Sequence, residues 1–293
     1  MSVPAWAAPL LALVERLDPL LPPAYPSIDW AHTQAAHWHP FSAQHGGLEA
    51  LATPRPVSFD SLLAMDSQKR SFRANAEQFL NGWPSNHCLL WGARGTGKST
   101  LVRALLTQYA DQGLRLIEVD KDHLHQLPRI VRSLADQPYH FVVFCDDLSF
   151  EAGDSGYQAL KSILEGSLAQ MPQNLMVIAT SNRRHIVPEF ESDNARQGAE
   201  LHQADSIEER IALSDRFGLS LSFYQYTPQQ YLDICRAIYV RQSQTLPMQL
   251  PEFDERMAIE ANRFATARGG RGGRIAEQFV RDWLGRWLMD RQG

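Results

Sequence analysis

The chain has 293 residues, of which 44% are hydrophobic and 21% are charged, and its formal net charge is −5. This is the composition of an ordinary globular protein, so a disordered or fibrous chain is excluded. The acidic balance argues against bulk electrostatic binding of nucleic acid. Binding in a local basic groove is the alternative.

The N-terminal segment, residues 1–54, has two predicted parts. Apolar residues at helical spacing predict an amphipathic helix, with Trp6, Leu10, Leu13, Val14 and Leu17 on one face. The following stretch is rich in proline, histidine and aromatic residues without a period, so an irregular arm over the next domain is expected. Charged residues interrupt the apolar run, which argues against a signal peptide. Three widely separated cysteines fit a reducing compartment, and we expect a cytoplasmic protein without a membrane span.

Residues 55–226 alternate short apolar strands with helices. The predicted strands are "HCLLWG", "LRLIEV", "HFVVFCDD", "NLMVIATSN" and "LSLSFYQY". Buried strands that alternate with helices are typical of a parallel sheet covered on both faces. After residue 226 only helical patterns follow, so residues 227–293 are predicted to form a small all-helical domain.

A phosphate-binding loop is predicted at "GARGTGKS", which matches the complete pattern G-x-x-x-x-G-K-[ST] between a strand and a helix. Such a loop turns backbone N–H groups inward, and the helix N-terminus adds positive potential for phosphate. Lys98 can reach the β- and γ-phosphates, while the Ser99 hydroxyl can bind Mg²⁺. The predicted nucleoside triphosphate site comprises Gly92, Ala93, Arg94, Gly95, Thr96, Gly97, Lys98, Ser99 and Thr100.

Two carboxylates follow the strand "FVVFC". Asp146 emerges at the C-terminal end of this strand, where α/β sheets bind ligands, and it can hold Mg²⁺ together with Ser99. Asp147 can orient or activate the attacking water. Capping of a following helix by the two acids is the alternative.

These motifs, together with "MVIATSNRRHIVPE", "ALSDRFGLSLSF" and "GGRIAEQFV", resemble those of AAA+ P-loop ATPases over residues 55–293, and more narrowly an uncharacterised bacterial ATP-binding AAA+ family. The resemblance implies a five-stranded parallel sheet sandwiched by helices, followed by a helical lid. It also implies ATP and Mg²⁺ at the site. AAA+ proteins usually have Asp-Glu where this chain has Asp146-Asp147, so the hydrolysis rate stays open.

The resemblance assigns roles to three further residues. Asn182, at the tip of a strand, matches sensor 1, which bridges the attacking water and the γ-phosphate; a simple turn cap is the alternative. Arg274 matches the lid arginine called sensor 2, with Arg271 as the other candidate.

Arg216 stands where AAA+ proteins have an arginine finger, which acts on the nucleotide of a neighbouring subunit. A finger requires the subunits to associate head to tail. The alternatives are a local ion pair with Asp215, Glu208 or Glu209, and Arg210 as the finger.

Three classes of function follow from these motifs. We expect an ATP-hydrolysing AAA+ protein that remodels or loads a protein or protein–nucleic-acid partner of unknown identity. A nucleotide-gated switch with very slow hydrolysis is the alternative, suggested by Asp147. A small-molecule P-loop kinase is disfavoured, because such an enzyme needs neither a finger from a neighbour nor a helical domain after the sheet.

Overall fold

A computed structural model of the chain describes residues 27–42, 45–150, 155–165, 171–182, 213–246, 248 and 250–291. The predicted N-terminal helix, Arg210 and most of the helix before Arg216 lie outside the described residues. Within the described part of the chain, no helix is long and apolar enough to cross a membrane.

A seven-stranded sheet forms the centre of the molecule. Its strands in chain order are β1 (Ala35–Ser42), β2 (His45–Ala50), β3 (Cys88–Gly92), β4 (Leu114–Glu118), β5 (His140–Cys145), β6 (Leu175–Ser181) and β7 (Leu219–Phe223). They lie side by side in the order β2-β1-β4-β5-β6-β3-β7. All neighbouring pairs are parallel except β1 and β2, which are antiparallel.

In the described part of the chain, four α-helices lie between strands and three more follow the sheet. The first four are α1 (Asp66–Leu80), α2 (Lys98–Tyr109), α3 (Leu127–Leu134) and α4 (Ser155–Leu164). The last three are α5 (Pro228–Ser243), α6 (Glu255–Ala267) and α7 (Gly273–Met289). The helical segment between β4 and β5 is divided: a 3₁₀ helix spans Lys121–Gln126, and α3 begins afterwards with a proline in its first turn. Proline suits that position because it has no N–H to leave unpaired there.

Hydrophobic cores lie on both faces of the sheet, as alternating side chains of the buried strands require. In β5, Phe141, Val143 and Cys145 face one core, whereas Val142 and Phe144 face the other. This double burial explains why the strands are almost entirely apolar.

The three C-terminal helices enclose a separate core around residues such as Tyr231, Ala261 and Phe279. Thr227 begins α5 with a capping box, in which its side chain accepts from the Gln230 N–H and the Gln230 side chain accepts from the Thr227 N–H. We call α5, α6 and α7 the lid. The domain boundaries at 54/55 and 226/227 stay predictions.

The prediction of an irregular arm and of only five strands is wrong for residues 35–42 and 45–50, because β1 and β2 extend the sheet. Ala36 and Trp38 of β1 are buried on one face, and Ala35 is buried on the other. Trp38 also donates its indole N–H to the Gln126 side chain at 2.9 Å. The sequence of β1 contains small residues, histidines and Pro40, and therefore lacks the apolar pattern that predicts a buried strand. The proline is tolerated because parallel pairing with β4 ends at His37, before it.

Candidate functional site

The phosphate loop joins β3 to α2, and its shape depends on its glycines, as Gly92 and Gly97 show. Gly92 has a φ of +129°, and a Cβ there would lie 2.0 Å from the Phe223 carbonyl oxygen of β7. Gly97 is the N-cap of α2 with a φ of +95°. Both conformations are readily accessible only to glycine, so the loop can approach β7 closely and then turn directly into the helix.

Lys98 folds back over its own loop. Its Nζ donates to the carbonyl oxygens of Gly92 at 2.7 Å and Ala93 at 2.9 Å, and it lies 3.4 Å from Asn182 Oδ1. Burial lowers the pKa of the Lys98 ammonium, while the charges of Asp146 and Asp147 act in the opposite direction. The ammonium is therefore held at the loop by backbone carbonyls that phosphate oxygens could replace.

Asp146 connects the phosphate loop to the strand ends. Its Oδ1 accepts from Ser99 Oγ at 2.7 Å and from Thr180 Oγ1 at 2.6 Å. The predicted pair of Ser99 and Asp146 is thus in direct contact. Hydroxyl and carboxylate oxygens are the ligands that Mg²⁺ prefers, so these two residues fit the proposed metal.

Thr180 is a member of the site that sequence reasoning passed over in favour of Asn182. Besides donating to Asp146, its hydroxyl accepts from the Asp147 N–H at 2.9 Å. Its carbonyl oxygen also accepts from the Leu148 N–H at 2.7 Å. Thr180 therefore fixes the turn that carries both carboxylates. The available signal was the polar run Thr-Ser-Asn at the end of an apolar strand.

Asp147 has a left-handed backbone conformation, with a φ of +52°. Its Oδ1 accepts from Asn182 Nδ2, and its Oδ2 lies 3.8 Å from Arg94 Nη2. The predicted water-activating residue and the predicted sensor 1 residue are therefore in contact. Both are close to the phosphate loop because β5, β6 and β3 are neighbours whose C-terminal ends lie at one edge of the sheet.

The lid contacts the phosphate loop at its first helical residue. Gly273, which begins α7, donates its N–H to the Gly95 carbonyl oxygen at 2.7 Å. A Cβ on Gly95 would lie 3.8 Å from the Cβ of Arg274. Arg274, predicted as the lid sensor, is thus anchored beside the loop. Arg271 lies where the chain from the sheet meets the lid, since its carbonyl oxygen accepts from the Tyr226 N–H at 3.4 Å. The choice between the two arginines stays open.

Tyr226 is a second residue that the sequence did not single out. It is buried, and its hydroxyl donates to the Thr96 carbonyl oxygen of the phosphate loop at 2.7 Å. Burial raises the pKa of the Tyr226 hydroxyl to about 12, so the group is a hydrogen-bond donor at physiological pH. No sequence signal distinguishes this tyrosine from an ordinary core residue.

Arg216 contacts a different part of the chain. Its Nη2 donates to Glu165 Oε1, directly after α4. The local alternative of a pair with Asp215 is not what the structure shows, and Glu208 and Glu209 lie outside the described residues. The guanidinium is mostly buried, and its Nη1 has no hydrogen-bond partner among the described residues. Arg216 is thus bound to Glu165 rather than to the phosphate loop of its own chain.

Solved structures with this arrangement of sheet and helices include two that cover most of the chain. A mutant of RuvB from Thermotoga maritima has a TM-score of 0.53 and 17% identity, covering 80% of this chain and 68% of that one. The ORC1 protein of Aeropyrum pernix, solved in complex with DNA, has a TM-score of 0.52 and 16% identity, covering 82% of this chain and 63% of that one. The predicted AAA+ fold with a helical domain after the sheet is confirmed.

No curated protein matches the sequence. A family model described as "Protein of unknown function (DUF815)" matches residues 31–287, which include every site residue discussed above. The chain therefore belongs to the DUF815 family, and it has the fold of the AAA+ P-loop ATPases.

Proposed function

We propose that the protein binds ATP with Mg²⁺ and hydrolyses it at an interface between subunits, and that it uses this reaction to remodel or load a protein partner. The contact that carries the proposal is Ser99 Oγ to Asp146 Oδ1 at 2.7 Å. It joins the phosphate loop to the strand end through a hydroxyl and a carboxylate, which are two oxygen ligands of the kind that Mg²⁺ prefers. Neutralisation of the phosphate charge is what Mg²⁺ would supply between them.

The remaining residues have separate tasks in this reaction. The loop N–H groups and Lys98 bind the phosphates of the substrate. Asn182 orients the attacking water, and Asp147 accepts its proton as the water oxygen bonds to the γ-phosphorus and the bond to the β-phosphate bridging oxygen breaks. The contact between Asn182 and Asp147 supports this pairing of tasks.

Two groups report the bound triphosphate to other parts of the assembly. Arg274, anchored beside Gly95, couples the lid to the phosphate loop, with Arg271 as the other candidate. Arg216 neutralises the charge that develops on the nucleotide of a neighbouring subunit. In the isolated chain Glu165 holds its guanidinium, so assembly must offer Arg216 a better anionic partner.

A nucleotide-gated switch with very slow hydrolysis is the second candidate. It is favoured by one observation: both oxygens of Asp147 are engaged, one by Asn182 and the other by Arg94. Aspartate in place of glutamate also shortens the reach of the carboxylate. Single-turnover rates distinguish the two, because a switch retains ATP over minutes whereas a motor hydrolyses it within seconds.

The partner is proposed only by class. DNA is a further candidate, because the similar ORC1 protein of Aeropyrum pernix was solved in complex with it. The formal net charge of −5 gives no general attraction to DNA, so a protein partner is our first choice. The Asp147→Asn variant should retain ATP, so capture of its bound partners distinguishes a protein partner from DNA. Exclusive recovery of nucleic acid would contradict the protein-partner proposal.

Steady-state turnover measured against protein concentration tests the proposed function. We expect Mg²⁺-dependent ATP hydrolysis whose specific activity rises with concentration, because each site needs a neighbour. Lys98→Ala should abolish nucleotide binding. Failure of the wild-type protein to bind ATP, or binding that Lys98→Ala retains, would contradict the proposal.

A further inference from the structure

Arg94 is a charged phosphate-loop side chain whose role the motif does not explain. It occupies a variable position of the loop, where the pattern requires no particular residue. Its side chain is 80% exposed, yet its Nη2 lies 3.8 Å from Asp147 Oδ2. An exposed ion pair of this kind contributes little to stability, so Arg94 can leave Asp147 for a stronger anionic partner at little cost.

Asp147 is held so that it can receive this guanidinium. Its N–H donates to Thr180 Oγ1, and its Oδ1 accepts from Asn182. Its left-handed conformation, unusual for a non-glycine residue, is kept by these contacts. With Oδ1 occupied, Oδ2 is left to face Arg94. The carboxylate is thus a fixed anion, and Arg94 is the movable member of the pair.

The contacts form a chain that begins and ends on the phosphate loop. Lys98 Nζ lies 3.4 Å from Asn182 Oδ1, Asn182 contacts Asp147, and Asp147 faces Arg94. Both cations of this chain therefore belong to the element that binds phosphate. A bound triphosphate brings several negative oxygens to the same loop, and a guanidinium pairs with phosphate in a bidentate manner.

Arg94 is also restricted by the lid. The Arg94 carbonyl oxygen would lie 3.4 Å from a Cβ on Gly272, and Gly273 donates to the carbonyl oxygen of Gly95, the next residue. The backbone of Arg94 is thus enclosed, while its side chain stays free to turn. Such an arrangement favours a change of side-chain partner without movement of the loop.

We propose that Arg94 binds the γ-phosphate of the ATP held by its own loop, and that it exchanges Asp147 for this phosphate when a triphosphate is present. The inference rests on the proposed function. It assigns a further guanidinium of the same subunit to the site, in addition to the proposed lid arginine and to Arg216 of a neighbour. Diphosphate has no γ-phosphate, so with ADP the pair of Arg94 and Asp147 stays intact.

Affinities for ATPγS and ADP, both with Mg²⁺, test this exchange. Arg94→Ala should weaken ATPγS binding about tenfold, the usual effect of losing one charge-assisted hydrogen bond, and should leave ADP affinity within about twofold. Arg94→Lys keeps the charge but loses the bidentate geometry of the guanidinium, so its ATPγS affinity should lie between those of the wild type and Arg94→Ala. Arg70→Ala, which removes an exposed arginine on α1, is the matched control and should change neither affinity.

Equal weakening of both nucleotides by Arg94→Ala, or no effect on either, overturns the proposal. Wild-type protein that binds neither nucleotide overturns the proposed function itself, so the two failures are distinguishable. Asp147→Asn should strengthen ATPγS binding more in the presence of Arg94 than in the Arg94→Ala background, because it removes the competing carboxylate. The same gain in both backgrounds would contradict the exchange.

Mixing of variants tests whether Arg94 acts within its own subunit. Arg94 and Lys98 serve the same loop, so Arg94→Ala mixed with Lys98→Ala should regain no ATPase activity beyond that of Arg94→Ala alone. A rescue would show that Arg94 serves a neighbouring site and would overturn the assignment.

Discussion

The hydroxyl of Tyr226 donates to the carbonyl oxygen of Thr96 at 2.7 Å, which ties the residue preceding the lid to the centre of the phosphate loop. Gly273 at the start of α7 makes a second tie, to Gly95. The loop is thus tied both to the lid and to the residue that precedes it, so we expect a change in the loop on nucleotide binding to be transmitted to the lid.

Tyr226→Phe tests the first of these ties. Loss of the hydrogen bond should lower the free energy of unfolding by about 1 kcal/mol and should also weaken ATPγS affinity, because the loop loses a support. Tyr239→Phe is the matched control, since the Tyr239 hydroxyl donates to the Pro251 carbonyl oxygen at 2.7 Å within the lid. It should destabilise the protein to a similar extent and leave nucleotide affinity unchanged. Equal affinities in the two variants would contradict the coupling.

Thr180 should be as sensitive to substitution as the motif residues. Thr180→Val removes the hydroxyl that donates to Asp146 and accepts from the Asp147 N–H, so we expect ATPase activity to fall at least about tenfold and stability to fall by about 1–3 kcal/mol. Thr180→Ser retains the hydroxyl and should keep most of the ATPase activity and most of the stability. Turnover and urea unfolding measure the two effects. If the valine variant hydrolyses ATP like the serine variant, the hydroxyl has no part in positioning the carboxylates.

The pair of Arg216 and Glu165 predicts opposite effects for its two members. Arg216→Ala should abolish turnover that depends on a neighbour, whereas Glu165→Ala should preserve or raise it, because the guanidinium is released. Glu165 is partly exposed, so its loss should change stability by less than about 1 kcal/mol. Glu277→Ala, which removes the partner of Arg241 in the lid, is the control. Equal loss of turnover in Arg216→Ala and Glu165→Ala would indicate a structural pair instead.

His87 predicts an acid-sensitive step in stability. It lies directly before β3, where its Nδ1 accepts from the Val177 N–H at 3.1 Å, and burial lowers its pKa to about 4. The folded pKa is below the unfolded value, so its contribution is complete above about pH 6.5 and is lost as the pH falls towards 4. From pH 7 to pH 5 we expect a loss of about 2 kcal/mol relative to His87→Gln. Urea unfolding measures this loss. If the unfolding free energies of the two proteins change equally between pH 7 and pH 5, the prediction is contradicted.

Much of the site could be predicted because its residues follow strong local patterns. Strands β3 to β7 are short and apolar, and parallel strands place their C-terminal ends at one edge, so Lys98, Asp146 and Asn182 were expected to lie together. Strand β1 was missed because its buried residues are alanines and a tryptophan among histidines. No local pattern in the sequence indicates that burial.

Other members of the site depend on contacts between distant residues, which no local pattern reveals. Glu165 meets Arg216 across 51 residues of sequence, and Tyr226 meets Thr96 across 130. The contact of Arg94 with Asp147 likewise requires the sheet to bring two loops together. Polar contacts of this kind are decided by how the elements pack.

The most direct test of the central claim mixes two inactive variants. Lys98→Ala cannot bind ATP but still carries Arg216, and Arg216→Ala binds ATP but lacks the finger. If sites form between subunits, an equal mixture should regain up to about a quarter of the wild-type ATPase rate per subunit, because random assembly unites an intact loop with an intact finger at that frequency. No activity in the mixture, or full activity of Arg216→Ala alone, would contradict hydrolysis at a subunit interface.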